Sequence, residues 1–155
     1  MASIIIFDSW NLISHEAVGR RWLAAGLLLA GNTILWYLAH SKLVAPSAYK
    51  AIILALVIFD VAFVGFNVYW ERGMASNAVA LFAVPIITSA LLKSRTTMLA
   101  AATLCTAAYS TAAVKYFNDY YGEGYRVELY GTVAFYSVLF FVLVWLLMIF
   151  IRPSD

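Results

Sequence analysis

The sequence predicts an all-α, polytopic membrane protein: an antiparallel up-down bundle of five transmembrane helices preceded by a short amphipathic surface helix. Three observations predict it. Five long apolar stretches fill the chain almost end to end. Hydrophobic residues make up 65% of the 155 and charged residues only 12%, about half the share of a typical globular chain. Mean hydropathy is +0.88. A water-soluble helix would break such runs with polar residues every third or fourth position; these runs continue unbroken.

Residues 1–21 form the expected surface segment. Asp8 or Ser9 can cap a helix whose Trp10, Ile13 and Ala17 share one side, with Ile4, Ile5, Ile6 and Phe7 dipping into the interface. Acidic Asp8 and Glu16 interrupt its start and Arg20 and Arg21 come last, which is the wrong order for a cleavable leader.

Residues 22–151 carry the spans, expected over Trp22–His40, Tyr49–Trp70, Ala75–Leu92, Met98–Tyr116 and Glu128–Ile151. Each is near the roughly 20 residues that a helix needs to cross about 30 Å of hydrocarbon. Pro46 forbids continuation of the first helix into the second. Gly73 suits a helix C-cap, Lys93 to Thr97 make a tight basic turn, and Gly122 and Gly124 mark the longest loop as a turn. Short connections make successive helices antiparallel neighbours. Residues 152–155 are a polar tail.

Orientation follows from finer features, because either assignment leaves five Lys/Arg on each face. The Lys93/Arg95 turn is basic and free of acids, as cytoplasmic turns tend to be. That puts the N-terminus outside and the C-terminus in the cytoplasm, although Arg20 and Arg21 weigh against it.

Polar residues inside the spans are the candidate site. Asp60 sits in the middle of the second span, where a carboxylate costs on the order of 3 kcal/mol to insert. It is expected to take up a proton or a hydrogen-bonding partner, with Asn32, Thr103, Thr106 and Tyr109 the candidates at similar depth. Such a cluster serves either a proton- or ligand-responsive site or a hydrogen-bond clasp between helices. Ala101, Cys105, Ala108 and Ala112 form a seam of small residues, with Ser110 and Thr111 nearby, suited to packing inside the bundle or to a dimer contact. Pro85 is expected to kink its span as a hinge, with Thr88 and Ser89 taking up the freed carbonyls. Tyr120, Tyr121 and Tyr125, with Tyr116 and Tyr130, ring the last loop, as an interfacial belt or the rim of a binding site.

Catalytic and metal signatures do not emerge. His15 and His40 have no second ligand at helical spacing, so neither zinc nor haem is expected. No Ser/His/Asp set, phosphate loop or glycine fingerprint occurs. A net charge of +2 argues against nucleic acid. Cys105 is alone, so no intrachain disulfide can form. No cofactor is implied, and the expected partners are the lipid bilayer and either another membrane protein or further copies of the chain.

From Asp60 onward the chain resembles the multi-helix N-terminal membrane domain of bacterial sensor histidine kinases. The residues that carry the likeness are Asp60, Gly73 with Asn77, Pro85, Lys93 and Arg95, Tyr109, and the last helix Glu128–Ile151. Two departures stand out: Glu71-Arg72-Gly73 replaces the usual Gly-Gly, and no kinase follows Arg152. The resemblance implies a stand-alone sensory or scaffold module of the bacterial cytoplasmic membrane. The competing expectations are a small accessory subunit of a larger membrane complex, and a small transporter or channel with Asp60 and Asn32 along its path.

Overall fold

A computed structural model of the chain describes residues 15–40, 45–71, 73, 76–120 and 126–153. Among them every regular element is helical. Three helices are long and apolar enough to cross a membrane, Ser47–Trp70, Arg95–Tyr120 and Val127–Ile151. The chain divides into two units at 44/45, whereas the sequence puts its first boundary at 21/22.

The first unit contains helix α1, His15–His40. It runs unbroken through Arg20 and Arg21, so residues 15–21 share a helix with the stretch expected as the first span. Gly19 and Gly26 lie within it without ending it, because a lone glycine costs only about 1 kcal/mol in a helix. Its apolar part, Ala25–Leu38, is shorter than the three long helices. The Asp8/Ser9 cap and the Ile4–Phe7 anchor lie outside the described residues.

The second unit begins with α2, Pro46–Trp70. Pro46 takes the first helical turn, where its missing N–H costs nothing, and Ala45 before it is extended (φ −64°, ψ 153°). At the other end the Glu71 N–H closes the last turn on Asn67 O at 2.8 Å. Gly73 then turns left-handed at φ +60°. A Cβ there would stand 2.8 Å from Tyr116 Cδ1, so both the backbone angle and the close approach require glycine.

The next stretch is not a uniform helix. Asn77–Phe82 is 3₁₀, Ala83–Ser89 is the short helix α3, and Ala90–Leu92 is 3₁₀ again. Ser76 starts it by accepting the Ala78 N–H on its hydroxyl at 3.0 Å. The expected Pro85 kink is replaced by this change of helix type. Pro85 is the third residue of α3, so it falls in a first turn, where a missing donor is tolerated. Upstream the chain has tightened to 3₁₀. Ser89 does bond a carbonyl, Ile86 O at 2.6 Å, but the acceptor that Pro85 leaves unbonded in an α pattern is Leu81, four residues before it.

Lys93, left-handed at φ 50°, and Ser94 make the reversal into α4, Arg95–Tyr120. Ser94 caps α4 by accepting the Thr97 N–H at 3.4 Å. Helix α5 follows as Arg126–Ile151.

Helix α4 is the hub of this unit, packing against α2, the 77–92 segment and α5. Gly65 of α2 faces Ala108, and further along both helices Tyr69 reaches Tyr116 and Asp119. Sequence number therefore rises together on α2 and α4, and these two run parallel. Successive elements reverse, as the short turns require, yet this lateral contact joins non-successive helices. The core is built from Val57, Val61, Val64 and Val68 of α2, Phe82 and Ile86, Phe140 and Val144 of α5, and the inner face of α4.

Candidate intramembrane site

The small residues of α4 pack inward: Ala101, Cys105 and Ala112 are buried and Ala108 lies against Gly65. Of the two uses open to that seam, it serves packing within the bundle. Close approach is its physical purpose, because two helices with alanine and glycine at the contact can bring their backbones together. The Cys105 thiol donates to Phe82 O at 3.9 Å, tying α4 to the end of the 3₁₀ segment.

At the centre of this core stands Tyr109, with no exposed surface. Its ring is boxed edge-on by Phe82 at 6.3 Å, Tyr136 at 5.3 Å and Phe140 at 6.3 Å between centroids. Edge-to-face pairs of this kind each add about 0.5–1.5 kcal/mol beyond area burial. Among the described residues the Tyr109 hydroxyl has no hydrogen-bond partner, and neither does the buried Thr106 Oγ1. Three other hydroxyls of α4 behave differently: Thr103, Ser110 and Thr111 each bond the carbonyl four residues back, at 2.7–2.9 Å. Thr106 and Tyr109, three residues apart, share one side of α4.

Asp60 does not complete that pair. It is 3% exposed, between Val57, Val61 and Val64 of the α2 core face. Ala108 marks the side of α4 that meets α2, and a residue two positions away points roughly 200° around the helix. Thr106 therefore turns away from α2. Thr103 and Asn32 each bond a carbonyl of their own helix. Thr103 is exposed and bonded to Leu99 O. Asn32 lies in the first unit, where its amide donates to Leu28 O at 3.0 Å. Of the expected cluster, Thr106 and Tyr109 share one side of α4, and Asp60 is buried on the core face of α2.

A second polar group sits at the ends of α2 and α4. The Tyr69 hydroxyl donates to Asp119 Oδ2 at 2.7 Å, and Lys115 Nζ donates to the same oxygen at 3.2 Å. The Lys115 ammonium also lies 5.5 Å from the Tyr69 ring centroid, within cation–π range. Tyr116 bridges Tyr69 and Tyr120, at 6.1 and 4.6 Å. Tyr120 is exposed; Tyr121 and Tyr125 lie outside the described residues. The sequence signal for this clasp was the i, i+4 spacing of Lys115 and Asp119.

The outer face of α4 went unread. Ala100, Thr103, Ala107 and Thr111 are all exposed, spaced three or four apart, and flanked by Leu99 and Leu104. Beyond them a shallow groove of about 520 Å³ runs along Ser110, Thr111, Val114, Lys115, Asn118 and Asp119. Across the bundle, α5 shows a different exterior of Phe135, Val138, Leu139, Val142, Trp145, Leu146 and Ile149. Among the described residues no group of three His, Cys, Asp or Glu could hold a metal ion. Comparison with protein-family models, with curated proteins and with solved structures finds no match, so the likeness to sensor-kinase membrane domains rests on the residues that carry it.

Proposed function

We propose that this chain is a non-enzymatic, five-span membrane module, sensory or scaffolding in role, that holds a partner helix against α4 inside the bilayer. The observation that carries the reading is the contrast between the exteriors of α4 and α5. Surfaces that face lipid tails need bulk and apolarity; surfaces that face another helix favour small residues and hydroxyls, which let backbones approach. The exterior of α5 is of the first kind and Ala100, Thr103, Ala107 and Thr111 are of the second.

Two further points support five spans. The 77–92 segment has 16 residues, nine of them in 3₁₀ turns. At about 2.0 Å per 3₁₀ residue and 1.5 Å per α residue it extends roughly 28 Å, close to the hydrocarbon thickness. Its 3₁₀ geometry thus compensates for its short length. Helix α1, at 26 residues, is long enough as well. The likeness to sensor-kinase membrane domains supports the bacterial cytoplasmic membrane as the setting.

The test is crosslinking in native membranes. In a Cys105→Ser background, a cysteine introduced by Ala107→Cys should give a discrete adduct of fixed stoichiometry, while Val138→Cys on α5 should not. Loss of that adduct on Thr103→Leu, with the melting temperature unchanged, would tie it to the seam. No adduct from Ala107→Cys, together with free labelling by a lipid-soluble maleimide, would reject the reading.

A further inference from the structure

The groove at the end of α4 has a chemical character distinct from the seam below it. Its wall carries one cation, Lys115, and one anion, Asp119, four residues apart, with the amide of Asn118 between them. The pair is held in place. Tyr69 reaches across from α2 to bond Asp119, and its ring lies beside the Lys115 ammonium. Both bonds to Asp119 fall on Oδ2, leaving Oδ1, and Lys115 uses one of its three N–H donors on that oxygen. Each charge therefore keeps capacity for a second partner.

Depth adds a second constraint. Tyr69 and Trp70 end α2, and Tyr116 and Tyr120 end α4. Tyrosine and tryptophan concentrate where hydrocarbon gives way to headgroups, so Lys115 and Asp119 stand at headgroup level. Val114, Thr111 and Ser110 lie on the hydrocarbon side of them, about 1.5–7.5 Å further along the axis than Lys115. A guest here meets a balanced charge pair at one end and a mostly apolar wall at the other.

We propose that this groove binds a phosphoethanolamine group, its phosphate on Lys115 and Asn118 and its primary ammonium on Asp119 Oδ1. An anionic guest would leave Asp119 opposed, and a quaternary ammonium has no N–H to give the carboxylate. Phosphate and ammonium lie two carbons apart in this group, matching side chains one helical turn apart. The groove shares Thr111 with the surface proposed for the partner helix, and its charged and amide groups, Lys115, Asn118 and Asp119, lie beyond that surface.

The test is native mass spectrometry of the full chain released from mixed micelles of phosphatidylethanolamine, phosphatidylcholine and phosphatidylglycerol at equal concentration. Phosphatidylethanolamine should be retained in preference to the other two. Lys115→Gln and Asp119→Asn should each weaken that retention about tenfold, the effect of losing one charged hydrogen bond. Trp145→Phe on α5 should leave it unchanged. Soluble phosphoethanolamine separates the two sources of the group: competition at equal concentration identifies the free metabolite as ligand, and failure to compete identifies the lipid. Equal retention of the three lipids would overturn the proposal. So would a preference for phosphatidylglycerol that grows in Asp119→Asn, or folded Lys115→Gln and Asp119→Asn variants that bind as the parent does. Circular dichroism of each variant establishes that it is folded.

Discussion

Helices α4 and α5 have the same length, 26 residues, and both are long enough to cross a bilayer, yet they are used in opposite ways. Helix α4 buries Met98, Ala101, Ala102, Cys105, Tyr109, Ala112, Ala113 and Phe117 and turns small or hydroxyl-bearing residues outward. Helix α5 buries Leu129, Phe140 and Val144 and turns its largest side chains outward. The more apolar helix is the more exposed one. In water that arrangement would be upside down. In lipid it is expected, because tails are as apolar as leucine and burial gains nothing from hydrophobicity alone. What sorts residues here is size and the fit of backbones.

The comparison breaks first at the α4 core. Ala102→Leu, at a position with no exposed surface, should lower stability by about 1–3 kcal/mol, the usual cost of extra methylenes in a packed core. Ala107→Leu, on the outer face, should change the melting temperature of the isolated chain little. Circular dichroism melts in detergent would compare them, and equal losses would refute the division of α4 into two faces.

Gly73→Ala comes next. It combines a left-handed backbone, costing roughly 1–2 kcal/mol, with a contact on Tyr116 too close for a real Cβ. Gly65→Ala meets Ala108 at an ordinary 3.5 Å and should be nearly neutral. Urea or SDS titration of the two variants, read by tryptophan fluorescence, should separate them clearly.

Asp60 sharpens the polar side of the comparison. Asp60→Leu should melt lower than Asp60→Asn, because asparagine retains hydrogen-bonding atoms at a buried position where leucine has none. Identical melting of the two would show that no polar contact at Asp60 holds the fold.

The smallest effects are expected at Tyr109 and Trp145. Tyr109→Phe removes a buried hydroxyl that bonds nothing among the described residues, so it should leave stability unchanged or raise it by about 1 kcal/mol. A clear loss would mean that the hydroxyl is satisfied by a guest. Trp145→Ala, 66% exposed on α5, should move the melting temperature by less than about 0.5 kcal/mol in equivalent terms.

Much of the architecture was legible because its signals are local. Pro46 starts a helix since its ring suits only the first turn. Gly73 marks a reversal since only glycine takes that φ at low cost. Ser94 and Lys93 make a turn within two residues. The long apolar runs of α2, α4 and α5 needed no context to be recognised as membrane-length helices. Pro85 misled for the same reason in reverse: its local rule forbids an α bond but does not say whether the chain kinks or tightens to 3₁₀, and the packing of Phe82 against Cys105, Tyr109 and Phe140 goes with the second.

The amino-acid order by itself determined helix, length and apolarity, because those depend on backbone propensity and solvent preference within a few turns. Only the tertiary structure decided which way each helix faces. Helix α4 carries two small-residue seams, Ala101–Ala112 and Ala100–Thr111, and periodicity gives both equal standing. The structure turns the first inward, where Ala108 meets Gly65 of a distant helix and small side chains let the two backbones approach. The same packing brings Tyr69 of α2 to Asp119 of α4, a contact that spans 50 residues of sequence.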